Sequence, residues 1–170
     1  MSLVDSKRSS VVVGGTRGIG RAVVKSLFAR GDDVTAIARR RPLDRERIDG
    51  VIYRQCDVVD LREVECVLGE IKERTGEVSS LVLSQRFRSE DDDWEGEMAT
   101  VLKAAKCIID LFTGIFSRDA SIVIVGSPAG KWVAQEQSLA YHVSRAGLEQ
   151  LVRYYAVSLG TKGVRVNTVM

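Results

Sequence analysis

Prolines are scarce in this sequence, and so are cysteines: there are two of the first and three of the second. With no Pro/Ser-rich tract and no internal repeat, nothing divides the 170 residues into separate units, and the chain reads as one domain spanning 1–170. Cys56, Cys66 and Cys107 are odd in number and widely spaced, which excludes a disulfide framework and a zinc knuckle and suits a reducing compartment. They read as small apolar core residues. Charge of one sign is missing too. Lys+Arg number 25 and Asp+Glu 23, a formal net charge of +2, too little to make nucleic acid or a membrane surface the main partner. No apolar run reaches the roughly 18 residues of a membrane span. Met1 to Ser10 is polar and lacks the apolar middle of a secretion signal, so a cytoplasmic location is expected. What is present is ordinary for a folded domain, 45% apolar and 28% charged, which excludes general disorder.

Short β-branched runs alternate with longer helical patterns. Ser10 to Val13 reads as a strand, Ile19 to Arg30 as a helix with Ile19, Val23 and Leu27 on one face, and Gly31 as its stop. Val34 to Ala38 and Val51 to Arg54 are strands two and three. Asp60 caps a helix running through Arg74, and Leu81 to Ser84 is strand four. Ser89 with Asp92 resembles a capping box, and the acids Glu90 to Asp93 suit the start of a helix that runs to about Phe116. Ser121 to Val125 is an apolar fifth strand, Ala140 to Leu159 a helix and Val164 to Val169 a sixth strand. Near-continuous apolar strands between helices imply a parallel sheet covered on both faces. The fold class is α/β: an open, doubly wound sheet of about six strands.

Val13-Gly14-Gly15-Thr16-Arg17-Gly18-Ile19-Gly20 lies between the first strand and the first helix. Glycine at the strand end permits a tight turn, glycine at the helix start lets backbone approach a pyrophosphate, and the last glycine lets helix pack on strand. The helix N-terminus then offers unpaired N–H groups and partial positive charge to phosphates. The plain alternative is a tight strand–helix turn, but strand before and helix after make the context that of a dinucleotide site.

Here the sequence resembles the short-chain dehydrogenase/reductase family. The spacing Gly14-x-x-x-Gly18-Ile19-Gly20 is similar to that family's cofactor turn. Cys56-Asp57-Val58 resembles its acidic residue after the third strand, which hydrogen-bonds adenine. Ser127 and the segment Tyr141-His142-Val143-Ser144-Arg145 resemble its active-site serine and Tyr-x-x-x-Lys, and Val164 to Asn167 its sixth strand. The resemblance covers nearly the whole chain. It implies cofactor contacts from Gly14, Thr16, Arg17, Gly18, Ile19, Gly20, Arg39, Asp57, Val58 and Ser84, a small carbonyl or alcohol as substrate, and assembly as a homodimer or homotetramer. The helix pair 90–116 and 140–159 would form the contact.

An NAD-selective site carries an acid at the end of the second strand. Here that place is Ala38, followed by Arg39, Arg40 and Arg41. NADP is therefore expected over NAD, with Arg17 and Arg39 gripping its 2′-phosphate. Arg40, Arg41, Arg45 and Arg47 read as a solvated run balanced by Asp44, Glu46 and Asp49.

In the family the tyrosine exchanges the hydroxyl proton, a cation lowers its pKa and holds the ribose, and the serine orients the carbonyl. Tyr141 and Arg145, four apart, share a helix face. Four departures from the pattern stand against this. Arg145 replaces lysine and cannot give up its proton. Val101 stands where the family has a helix-bending asparagine. Leu83-Ser84-Gln85-Arg86 replaces Asn-Asn-Ala-Gly, so Arg86 must swing out or fill cofactor space. Val13 replaces a threonine. The family continues past its sixth strand into a substrate-covering segment, whereas this sequence stops at Met170; the pocket is expected to lack that lid and Val164 to Val169 to form an exposed apolar edge. Two readings compete: an NADP(H)-dependent reductase with Tyr141 as acid/base, Ser127 orienting and Arg145 as electrostatic partner, or a degenerate member that binds, senses or assembles without turnover. His142 points away from Tyr141, and Trp132 either walls the pocket or packs.

Overall fold

The computed structural model describes residues 7–89 and 91–170. Met1 to Ser6, most of the segment in which a secretion signal was sought, and Glu90, the first residue of the expected acidic helix start, lie outside the described residues. The elements run β1 (Ser9–Val13), α1 (Gly18–Ala29), β2 (Asp33–Ala38), β3 (Ile52–Gln55), α2 (Leu61–Thr75), β4 (Val78–Leu83), α3 (Trp94–Glu97), a π-helical turn (Met98–Lys103), α4 (Ala104–Phe112), β5 (Phe116–Val125), α5 (Leu139–Gly160) and β6 (Arg165–Val169). The six strands form one parallel sheet in the order β3-β2-β1-β4-β5-β6. The strand order reverses between β1 and β4, so the loops leaving their carboxyl ends part there and open a crevice.

Side chains alternate across the pleat as strand geometry requires. Val11 and Val13 join Leu81, Ile108 and Val152 in one core layer, covered by α2, α4 and α5. Val12 joins Val24, Val34 and Ala36 in the other, covered by α1. Each fully buried valine contributes about 2 kcal/mol, and three in succession fix the strand that ends at the glycine turn. Asp60 caps α2 as expected, its Oδ1 accepting from the backbone N–H of Arg62 at 2.9 Å and of Glu63 at 3.4 Å. The end of β5 is clamped by β6: Gly126 N donates to the Val169 carbonyl at 2.8 Å, and Thr168 Oγ1 donates to the Ile124 carbonyl at 3.0 Å.

Five expectations need correction. The single helix to Phe116 is instead α3, a π-helical turn and α4, and Phe116 opens β5. The cap is Asp93, which accepts from Gly96 N at 2.8 Å, while Ser89 Oγ accepts from Asp91 N and Asp92 reaches across to Ala140 N. The fifth strand begins five residues early and includes exposed Arg118 and Asp119, because β4 pairs along it from Val78. The cysteines do not share one environment: Cys56 is buried, Cys107 half-buried and Cys66 exposed. At the sheet edge Val169 is exposed but Val164 and Val166 are buried under α5. Among the described residues no helix is long and apolar enough to cross a membrane.

Candidate active site

A cleft of about 610 Å³ fills the crevice. Its floor is the glycine turn, with Gly14, Thr16, Arg17, Gly18 and Ile19 on the lining. One wall is Ala38, Arg39, Arg40 and Val58; the opposite wall is Ser84, Gln85, Arg86, Thr100, Tyr141 and Arg145. Ten of the thirteen residues singled out from the sequence therefore meet in one space: Tyr141, Arg145, Gly14, Thr16, Arg17, Gly18, Ile19, Arg39, Val58 and Ser84.

Three do not line it. Gly20 sits behind the turn, where an added Cβ would lie 2.2 Å from the Gly14 carbonyl oxygen; its role is close packing of helix on strand. Asp57 faces a separate shallow depression at the start of α2, with Oδ1 accepting from Val59 N at 3.1 Å. Ser127 caps the turn Pro128–Gly130, its Oγ accepting from Ala129 N at 3.2 Å. Arg40, assigned from the sequence to a solvated run, does line the cleft.

The phosphate end fits a nucleotide. Gly14 and Gly18 take φ of +79° and +50°, which bends the chain sharply between β1 and α1. No side chain caps the N-terminus of α1 and no acid lies in its first turn, so its partial positive charge faces the cleft uncompensated. A Cβ on Gly18 would meet nothing within 4 Å, leaving open space over those amides. Arg17, Arg39 and Arg40 are exposed on the rim, and the Arg21 guanidinium ties α1 to the Glu46 carbonyl at 3.1 Å, holding the basic segment beside the turn.

The other end is built around Tyr141. Arg145 Cζ lies 4.6 Å and Arg86 Cζ 5.2 Å from its ring centroid. Arg145 is buried at 3% exposure against Glu97 at 5%, with Nη2 3.6 Å from Glu97 Oε1. Ser144 Oγ donates to the same oxygen at 2.7 Å. Burial pushes the Arg145 guanidinium below its ordinary value, with Tyr141 and Glu97 pulling it back up. Arg145 Nε and Gln85 Oε1 are buried without hydrogen-bond partners. Val101 is 1% exposed within the π-helical turn. Arg86 turns toward Tyr141 and donates to Gln137 Oε1 at 3.2 Å while still lining the cleft. His142 is structural: Nε2 accepts from Ala134 N at 2.8 Å, so the ring proton sits on Nδ1, 2.7 Å from the Ser138 carbonyl. Trp132 is exposed at 69% and walls nothing. Glu97 went unnoticed in the sequence, where the signal was an acid at a buried position of α3, 48 residues before an arginine standing in place of lysine.

A doubly wound sheet with a glycine turn, an uncapped helix start and a Tyr–Arg pair in one crevice defines a nucleotide-binding oxidoreductase class. Comparison with known proteins narrows it. A family model described as enoyl-(acyl carrier protein) reductase matches residues 13–170. Carbonyl reductase family member 4 of Xenopus laevis is 31% identical over 170 residues, covering 93% of this chain and 72% of the relative. An NADH enoyl-acyl-carrier-protein reductase of Rhizobium meliloti is 28% identical over 186 residues, covering 98% and 69%. The ligand-free aldohexose dehydrogenase of Thermoplasma acidophilum superposes with a TM-score of 0.86 at 20% identity, covering 95% of this chain and 65% of that one. The chain belongs to the short-chain dehydrogenase/reductase family, whose members are oxidoreductases that use nicotinamide cofactors.

Proposed function

We propose that the protein is an NADP(H)-dependent reductase that interconverts a small carbonyl compound and its alcohol. The observation that carries this reading is the single cleft shared by the glycine turn, the arginines Arg17 and Arg39, and the Tyr141–Arg145 pair. The turn and the α1 N-terminus would hold the pyrophosphate; Arg17 and Arg39, with no acid at Ala38 to repel it, would hold the 2′-phosphate. Such a cofactor supplies hydride exchange. The chain supplies the proton: the Tyr141 hydroxyl, beside two guanidinium groups, gives it to or takes it from the substrate oxygen. Arg145 stands at the place of the family's lysine, and Ser127 at that of its orienting serine. Asp57 and Gly20 support the nucleotide end from outside the lining, through the turn after β3 and the packing of α1.

A second reading, cofactor binding without turnover, is favoured by Ser127 lying off the cleft lining and by Arg145 being tied to Glu97. Titrating NADPH and NADH against melting temperature and nucleotide fluorescence tests both. NADPH binding, reduction of an aldehyde and ketone panel, and loss of that reduction in Tyr141→Phe are expected of the enzyme; binding with no reduction by the native protein selects the second reading, and silence toward both nucleotides refutes both. The protein would act in the cytoplasm, assembled as a homodimer or homotetramer through α4 and α5, where Tyr154 and Val157 of α5 are exposed at 65% and 78%. A monomer in light scattering at micromolar concentration would refute this.

A further inference from the structure

Tyr141 has two cations within reach of its ring, and the structure treats them differently. Arg145 is buried and meets a buried carboxylate, Glu97, which also takes the Ser144 hydroxyl. An arginine can occupy that interior place only with a counter-ion, because an isolated buried charge costs several kcal/mol. The Glu97 carboxylate therefore offsets charge on Arg145. Arg86 is exposed, its one side-chain hydrogen bond goes to the neutral amide of Gln137, and among the described residues no carboxylate lies within 4.0 Å of it.

We infer that the electrostatic work done by one lysine elsewhere in the family is divided here: Glu97 is a positioning residue that locks and neutralises Arg145, and Arg86 is the cation that favours the Tyr141 phenolate. The inference rests on the reading of Tyr141 as the proton-exchanging group. The charged and titratable groups around Tyr141 are Arg86 from the loop after β4, Glu97 from α3, and Arg145 and His142 from α5. Beyond them, Arg88, the acids Asp91 to Asp93 and Glu136 share a neighbouring pocket with Tyr141. Asp92 and Asp93 are engaged with backbone N–H groups, and the His142 ring with Ala134 and Ser138. Removing Arg86 leaves the phenol facing a compensated pair and acids; removing Arg145 and Glu97 together changes little.

The test is a phenolate absorbance titration of the cofactor-free protein, with Tyr141→Phe subtracted to isolate this ring. It needs no turnover, so its outcome stands apart from whether the protein binds NADPH or reduces a carbonyl. Arg86→Gln is expected to move the midpoint up by about half a pH unit at low ionic strength, an effect that shrinks with salt because the guanidinium is exposed. Arg86→Lys keeps the charge and is expected to restore most of the shift. The paired variant Glu97→Gln with Arg145→Met, which exchanges a buried ion pair for neutral groups of similar size, is expected to leave the midpoint within about a quarter of a unit. An unchanged midpoint in Arg86→Gln overturns the inference, and this exposed site carries the test even if the paired variant does not fold. A rise in the paired variant larger than that in Arg86→Gln also overturns it, by showing Arg145 to be the working cation.

Discussion

Adding one methyl group at either of two glycines in the turn separates what the turn does for folding from what it does for binding. At Gly20 a Cβ would come within 2.2 Å of the Gly14 carbonyl oxygen, 2.9 Å of the Gly14 carbonyl carbon and 3.3 Å of Gly15 Cα. All three are backbone, so no rotamer change relieves the contact, and α1 must lift from β1 to admit the methyl. Overpacking of this kind costs about 1–3 kcal/mol, and in a chain of this length each kcal/mol lowers the melting temperature by roughly 2–4 °C. Gly20→Ala is thus expected to melt about 2–12 °C lower. At Gly18 the added carbon would touch nothing within 4 Å, and only its φ of +50° is unfavourable, a cost of about 1 kcal/mol. That same carbon, however, would stand in the space over the α1 amides. Gly18→Ala is expected to melt within a few degrees of the native protein, roughly 2–4 °C lower, while losing at least tenfold in NADPH affinity. Thermal denaturation followed by circular dichroism, with nucleotide titration on the same samples, reads both. If Gly20→Ala melts at the native temperature, the packing argument is wrong. If Gly18→Ala binds NADPH as tightly as native protein, phosphate does not sit there.

Other outcomes follow from groups away from the turn. Asp32 is buried, accepting from Ser10 Oγ at 2.6 Å and from the Arg30 guanidinium at 3.0 and 2.6 Å; burial works to raise its carboxyl, but those bonds outweigh it and hold it below the usual 3.8. A lowered folded value means the stabilisation is present above that figure and lost as acid protonates the folded form, so native protein should lose stability in that acid range more steeply than Asp32→Asn when melting is followed against pH. At neutral pH, Asp32→Ala, which strands the buried Ser10 hydroxyl, should cost about 2 kcal/mol in denaturant unfolding. Arg17→Ala with Arg39→Ala should weaken NADPH binding at least tenfold and leave NADH within about threefold, as bidentate phosphate contacts require; equal losses for both nucleotides would place the 2′-phosphate elsewhere. Cys56 is pushed up to about 11, chiefly by burial, so alkylation at mildly alkaline pH should label exposed Cys66 and spare Cys56, read by peptide mass.

The sheet was legible because β1 and β2 carry β-branched residues and the strand–helix alternation implies parallel pairing. What escaped was the course of the chain from Ser89 to Phe116. A π-helical turn adds a residue to one turn without changing the apolar spacing enough to notice, and the cap fell to Asp93, which reaches Gly96 N, rather than to Ser89. The nucleotide end of the site was readable because glycines act through their backbone, which spacing records. Ser127 and Asp57 were placed in the cleft by pattern alone, and the pattern does not say that a short side chain will bond its own turn first. Glu97 was hidden for the opposite reason: the bond that gives it meaning joins positions 48 residues apart in sequence, Glu97 and Arg145 being brought together only when α3 packs on α5.

The clamp between β5 and β6 has a consequence for synthesis. Val125 and Gly126 form part of the cleft wall, yet the bonds that fix them come from Thr168 and Val169, more than forty positions later. During synthesis, a chain that has completed the glycine turn and even the Tyr141 helix still lacks the bonds that hold this wall, which form only when the sixth strand pairs alongside the fifth.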